Sequence, residues 1–220
     1  MKLIDSVLHH RVVMPRDASA PLHPTLIMLH GRGADEEDLL GLSPYLDKRF
    51  LILSVRAPYP FEYSGGFTWY DIDAVGTPDP AMFKSSCDKL SAFVGDALAR
   101  YPIDKKQVYL FGFSMGTVMA YAMAFTQPDL FRGIVANSGY IAEGTHLTYR
   151  WDQLDNVEFF VTHGTQDPII PIQIAGRAKQ LLEAGRVRFE YKEYPMAHQI
   201  GEESLQDFSL WLTHRLNTTS

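Results

Sequence analysis

Short, nearly unbroken apolar runs alternate along this chain with longer stretches whose apolar positions recur at helical spacing. Residues 25–30, 50–55, 107–113, 133–137 and 157–162 read as strands buried on both faces, and 188–194 as a further strand. Residues 6–14 read as an opening strand or hairpin arm. Helical spacing is expected over 35–46, from the Asp79-Pro80 start to about 101, over 115–126 before Pro128, over 171–184 up to Gly185, and over 201–216. This alternation predicts an α/β fold, a mainly parallel sheet with helices on both faces. No repeat, low-complexity tract or charged linker interrupts it, so one domain is expected over residues 1–220. The exception is 57–78, which is rich in Pro, Gly and aromatics and has no period. A loop of that length is usually functional.

The strongest chemical signal sits where strand 107–113 meets helix 115–126. Gly112-Phe113-Ser114-Met115-Gly116 requires a sharp reversal, and its two glycines let strand and helix approach without a β-carbon between them. Ser114 then stands at the carboxyl edge of the sheet, in front of a helix N-terminus that favours a developing oxyanion. A serine hydroxyl needs an imidazole base, itself oriented by a carboxylate. Asp167, in His163-Gly164-Thr165-Gln166-Asp167, and His198, in Met196-Ala197-His198, both follow strands and lie at that same edge. Asp152 and Asp155 precede their strand, and Asp129 reads as a turn residue. His9, His10 and His23 of the N-terminal segment and His214 of the last helix read as solvated or structural histidines, and His163 reads as packing beneath Asp167 or bonding to backbone. Leu29-His30-Gly31-Arg32-Gly33 supplies a turn that can aim N–H groups inward, so the backbone N–H groups of Arg32 and Met115 are the expected oxyanion hole.

Composition narrows the class. With 20 basic and 26 acidic side chains the formal charge is −6, which offers no basic footprint for nucleic acid or an anionic membrane. No segment approaches a membrane span, the first six residues hold no signal-like apolar run, and the single Cys87 excludes an internal disulfide. A cytoplasmic protein without stable membrane association is the simplest reading. No histidine pair has ligand spacing with a nearby acid, so no metal site is expected.

Taken together, Leu-His-Gly-Arg-Gly at 29–33, Trp-Tyr-Asp at 69–71, Gly-Phe-Ser-Met-Gly at 112–116, His-Gly-Thr-Gln-Asp at 163–167 and Met-Ala-His at 196–198 resemble the phospholipase/carboxylesterase family of α/β-hydrolases. The family includes bacterial carboxylesterases and acyl-protein thioesterases. Met115 stands where many members have Gln, Thr117 replaces a frequent second Gly, and Ala197 replaces a Gly before the histidine. The resemblance implies an α/β-hydrolase fold, no organic or metal cofactor, and in several members a homodimer.

The expected activity is hydrolysis of a small-molecule carboxylic ester, or thioester, of a small to medium acyl group through an acyl-serine. Phe61, Phe67, Trp69 and Tyr70, with Tyr63, are the candidate walls of the acyl site, set against a role as a satellite core over the sheet. The segment is too short for a separate lid domain, so an open site is expected. Two other readings remain open: a non-catalytic ligand-binding protein on the same fold, and a lysophospholipase, lactonase or peptide hydrolase with the same apparatus.

Overall fold

The computed structural model describes residues 3–63 and 65–218. Of the segments read above, positions 1 and 2 of the N-terminal stretch, position 64 of the 57–78 loop, and positions 219 and 220 lie outside them.

In chain order the elements are β1 (His10–Val13), β2 (His23–Leu29), a 3-10 segment (Asp38–Tyr45), β3 (Leu51–Val55), β4 (Tyr59–Phe61), β5 (Gly66–Thr68), β6 (Ile72–Ala74), β7 (Thr77–Pro78), α1 (Pro80–Arg100), β8 (Ile103–Phe113), α2 (Met115–Thr126), β9 (Gly133–Asn137), β10 (Glu158–Gly164), α3 (Ile172–Ala184), β11 (Arg188–Tyr194) and α4 (Glu202–Thr218). Seven strands form one sheet in the order β1-β3-β2-β8-β9-β10-β11. β1 runs antiparallel to β3 and every other pair is parallel. From β2 the chain steps outward to β3, whereas from β8 it steps the other way through β9, β10 and β11. The order therefore reverses between β2 and β8, and the crevice beyond their carboxyl ends is where open α/β sheets bind ligands.

One face of the sheet packs on α1, α2 and α3. α1 presents Phe83, Cys87, Leu90, Phe93, Val94 and Ala97 at helical spacing, and every residue of α2 except Thr126 is buried. α2 is apolar all round because it lies between the sheet and other elements. The opposite face is covered by Phe208, Trp211, Leu212 and Leu216 of α4, which meet Leu26, Met28, Tyr109, Phe111, Val135 and Phe160. The Asp79 side chain caps α1 by accepting the Met82 N–H at 2.7 Å, with Pro80 at the first helical position.

Two segments differ from expectation. Residues 35–46 do not form an α-helix: only the 3-10 segment Asp38–Tyr45 is present. The Asp35 carboxylate takes the Glu37 N–H at 2.8 Å, Glu36 is drawn inward onto Arg56 at 2.5 and 2.6 Å, and Pro44 has no N–H to continue the ladder. The 57–78 stretch is not structureless, because it folds into two antiparallel hairpins, β4–β5 and β6–β7.

Candidate active site

The loop after β8 carries Ser114 at φ 54° and ψ −119°, a left-handed backbone conformation unusual for a residue with a side chain. The strain persists because both flanking glycines are packed against backbone. A β-carbon on Gly112 would sit 2.5 Å from the Thr117 backbone nitrogen, and one on Gly116 would collide with the Leu29 carbonyl. The Ser114 N–H donates to the Asn137 carbonyl at 3.0 Å. Thr117 adds a clamp of its own, its hydroxyl lying 2.7 Å from the Gly112 carbonyl oxygen and 2.6 Å from that of Asn137. A hydroxyl thus ties the turn together at a position where a glycine could not.

Strands β10 and β11 deliver the other two side chains. Ser114 Oγ lies 2.8 Å from His198 Nε2, and His198 Nδ1 lies 2.7 Å from Asp167 Oδ2. Asp167 Oδ1 accepts the Ile169 and Ile170 N–H groups at 2.8 and 2.9 Å, and the carboxylate is fully buried. Burial alone would raise its pKa. The hydrogen bonds from Ile170, His198 and Ile169 outweigh that effect and hold the carboxyl below its ordinary value. An ionised Asp167 accepts the Nδ1–H, so the Nε2 lone pair faces the serine hydroxyl. The Phe113 ring lies 5.1 Å from the imidazole and backs it. Ala197, in place of the family's glycine, leaves this geometry intact. His163 does not enter the relay: its Nε2 bonds the Ile170 carbonyl at 2.8 Å and so braces the turn that carries Asp167.

The loop after β2 faces Ser114 and is held from behind. His30 is buried, with Nδ1 donating to the Gly31 carbonyl at 2.7 Å and Nε2 accepting the Ala57 N–H at 3.0 Å. Burial lowers its pKa, so the ring stays neutral and keeps both bonds. Gly33 donates to the Phe67 carbonyl and Phe67 donates to Ala34, each at 2.8 Å, which pins the loop to β5. Among the described residues, the N–H groups of Arg32 and Met115 have no acceptor. Both residues border the cleft above Ser114.

That cleft holds about 140 Å³ and is lined by Arg32, Tyr70, Ile72, Val75, Ser114, Met115, Tyr140, Ile169 and Ile170. Of the aromatics expected there, only Tyr70 is present. Trp69 turns the other way, where its Nε1–H donates to the His30 carbonyl at 2.9 Å. Phe61 lies under the Arg32 guanidinium at 4.5 Å and Phe67 under that of Arg56 at 4.4 Å. Tyr63 is 92% exposed. Trp69, Phe61 and Phe67 pack on the loops around the site, and none of the four lines the cleft. Ile169 and Ile170 carry a signal in sequence, two adjacent apolar residues in the loop of Asp167. Tyr140 falls between the strands 133–137 and 157–162, outside every segment that carries a motif. Among the described residues, no group of three His, Cys, Asp or Glu side chains could hold a metal ion.

A family model described as Phospholipase/Carboxylesterase matches residues 9–216. The chain belongs to the phospholipase/carboxylesterase family. The chain is similar to acyl-protein thioesterase 1 of Kluyveromyces lactis, 26% identical, with 89% of this chain and 93% of the relative covered. Acyl-protein thioesterase 1 of Candida albicans is 27% identical, with 83% and 87% covered. Among solved structures, a Bacillus cereus carboxylesterase shares the fold with a TM-score of 0.82 at 24% identity, each chain 94% covered. A Mesorhizobium loti carboxylesterase has a TM-score of 0.84 at 18% identity, with 96% and 97% covered. Family membership and the likeness in fold agree with the α/β-hydrolase architecture expected from the sequence.

Proposed function

We propose that this family member hydrolyses carboxylic esters, and thioesters of comparable size, through an acyl-serine intermediate formed on Ser114. The observation that carries the reading is the continuous relay from Ser114 Oγ to His198 Nε2 at 2.8 Å and from His198 Nδ1 to Asp167 Oδ2 at 2.7 Å. His198 takes the hydroxyl proton as Oγ attacks the carbonyl carbon, and Asp167 stabilises the imidazolium that results. The N–H groups of Arg32 and Met115 receive the oxyanion. Collapse of the tetrahedral species expels the alcohol or thiol, which takes the proton from His198. A water molecule then gives its proton to the same imidazole, attacks the acyl carbon, and regenerates Ser114.

The cleft favours a short acyl or aryl group. Its volume of about 140 Å³ lies below that of pockets that enclose drug-sized ligands, roughly 300–1,000 Å³. Among the described residues, no helix is long and apolar enough to cross a membrane. The test is an acyl chain-length series of p-nitrophenyl esters with matched thioesters, followed by a lysophospholipid. The reading expects kcat/KM to peak at short acyl chains. A preference for the lysophospholipid over every short ester would overturn the assignment of substrate size. A fluorophosphonate probe separates an enzyme from a binding protein, since only an activated serine takes the label.

A further inference from the structure

His198 hangs from the least supported strand of the sheet. β11 lies at the edge, paired only with β10, and of its seven residues only the last, Tyr194, is buried. Ser114 and Asp167 follow β8 and β10, which are each paired on both sides. An edge strand leaves half its backbone groups outside the ladder, so its end shifts more easily than the end of a central strand. The reach of the base to Ser114 therefore depends on whatever fixes the end of β11.

Tyr194 supplies that fixture. Its hydroxyl donates to Asp207 Oδ2 on α4 at 2.7 Å, and Lys192 Nζ donates to the same oxygen at 2.8 Å. The bond from Lys192, and after it that from Tyr194, outweigh desolvation and hold the Asp207 carboxyl below its ordinary pKa. Burial, and after it the bond to Asp207, raise the Tyr194 phenol, so a neutral donor meets an ionised acceptor. The next residue of α4, Phe208, is buried with its ring 5.0 Å from that of Phe111 in β8, the strand that carries Ser114. At the loop end, the Tyr194 carbonyl accepts the Thr165 N–H at 2.8 Å and the Met196 carbonyl accepts the Gln166 N–H at 3.1 Å. A β-carbon on Gly164 would collide with the Met196 carbonyl, so the loops of Asp167 and His198 lie backbone against backbone.

We propose that Asp207 is a positioning residue for the base. Acting through the Tyr194 phenol, it ties the strand that enters the His198 loop to the helix that leaves it, and so holds Nε2 within reach of Ser114 Oγ. The proposal rests on the acyl-serine reading above and names a residue outside the cleft on which that site depends. Tyr70, Ile72, Val75 and Tyr140 wall the cleft from other elements. Loss of the clasp should therefore lower kcat and spare KM.

The test measures kcat and KM for p-nitrophenyl butyrate in Asp207→Leu, Asp207→Asn, Tyr194→Phe, Lys192→Met and the double variant Asp207→Leu/Tyr194→Phe, with thermal unfolding of each. Asp207→Leu and Tyr194→Phe should each lower kcat about tenfold and leave KM within about twofold. The double variant should lose no more than either single one, because both remove the same bond. Asp207→Asn keeps a carbonyl oxygen for the phenol and should recover most of kcat. Lys192→Met removes the ion pair but not the phenol bond, and should stay near the wild type. A wild-type kcat in Tyr194→Phe, which keeps the ring and carries the test even where Asp207→Leu unfolds, would overturn the proposal. So would additive losses in the double variant, or an Asp207→Asn protein as slow as Asp207→Leu. Each of these results leaves ester hydrolysis standing, whereas no turnover by the wild type would overturn the acyl-serine reading as well.

Discussion

The indole N–H of Trp69 donates to the carbonyl oxygen of His30 at 2.9 Å, joining the hairpin region to the loop that faces Ser114. The Trp69 carbonyl in turn accepts the Ser86 hydroxyl of α1, so the residue is held from both sides. Trp69→Phe keeps an aromatic ring but removes the donor and leaves the His30 carbonyl buried without it. The expected result is a fall in kcat/KM for a p-nitrophenyl ester of about tenfold, with a stability loss of about 1–3 kcal/mol. Steady-state kinetics and urea unfolding check it. Full activity in this variant would show that the loop does not depend on the indole.

The turn at Ser114 makes a prediction that separates packing from propensity. Gly116→Ala would drive a β-carbon into the Leu29 carbonyl, whereas a β-carbon on Gly95, exposed in the middle of α1, would meet nothing within 4 Å. Gly116→Ala should therefore cost about 1–3 kcal/mol or more and abolish activity. Gly95→Ala should stabilise by roughly 0.5–1 kcal/mol and leave kinetics unchanged. Thermal unfolding of both variants decides the matter, and equal effects would contradict the packing argument.

Much of this architecture is legible in sequence for a physical reason. Parallel strands buried on both faces must be apolar almost throughout, so 133–137 coincides with β9, and the stop before Pro128 fixes the end of α2. The glycines around Ser114 announce their own geometry. By contrast, 35–46 shows helical spacing with acids in its first turn, yet its conformation is decided by Arg56 drawing in Glu36 from a distant part of the chain. The aromatics of 57–78 escape a sequence reading for a related reason. Trp69 and Tyr70 lie in the bend between β5 and β6, where Trp69 braces the His30 loop while Tyr70 lines the cleft. Composition reports that aromatics are present but not which way each one faces.

Acid should destabilise the fold through His30. Its imidazole is buried and accepts the Ala57 N–H, and burial lowers its pKa below the ordinary 6.5. Below that value the unfolded chain binds a proton that the folded state resists, so unfolding becomes easier as pH falls. The stabilisation is complete above pH 6.5 and declines from there towards the lowered folded value, with a slope of at most about 1.4 kcal/mol per pH unit from this group. His10, lowered by burial as well, acts in the same direction. Urea unfolding at a series of pH values from neutral downward should show the decline, and it should be shallower in His30→Gln. A slope unchanged by that substitution would assign the acid sensitivity to other groups.

The central claim concerns Ser114 and is tested most directly by Ser114→Ala with p-nitrophenyl butyrate as substrate. The variant loses only an oxygen at a position whose fold is set by Gly112, Gly116 and Thr117, so unfolding should match the wild type to within about 1 kcal/mol. The account predicts that kcat falls by at least about three orders of magnitude and that a fluorophosphonate adduct, located by peptide mass on Ser114 in the wild type, is absent from the variant. Turnover close to the wild-type rate in a folded Ser114→Ala protein would contradict it.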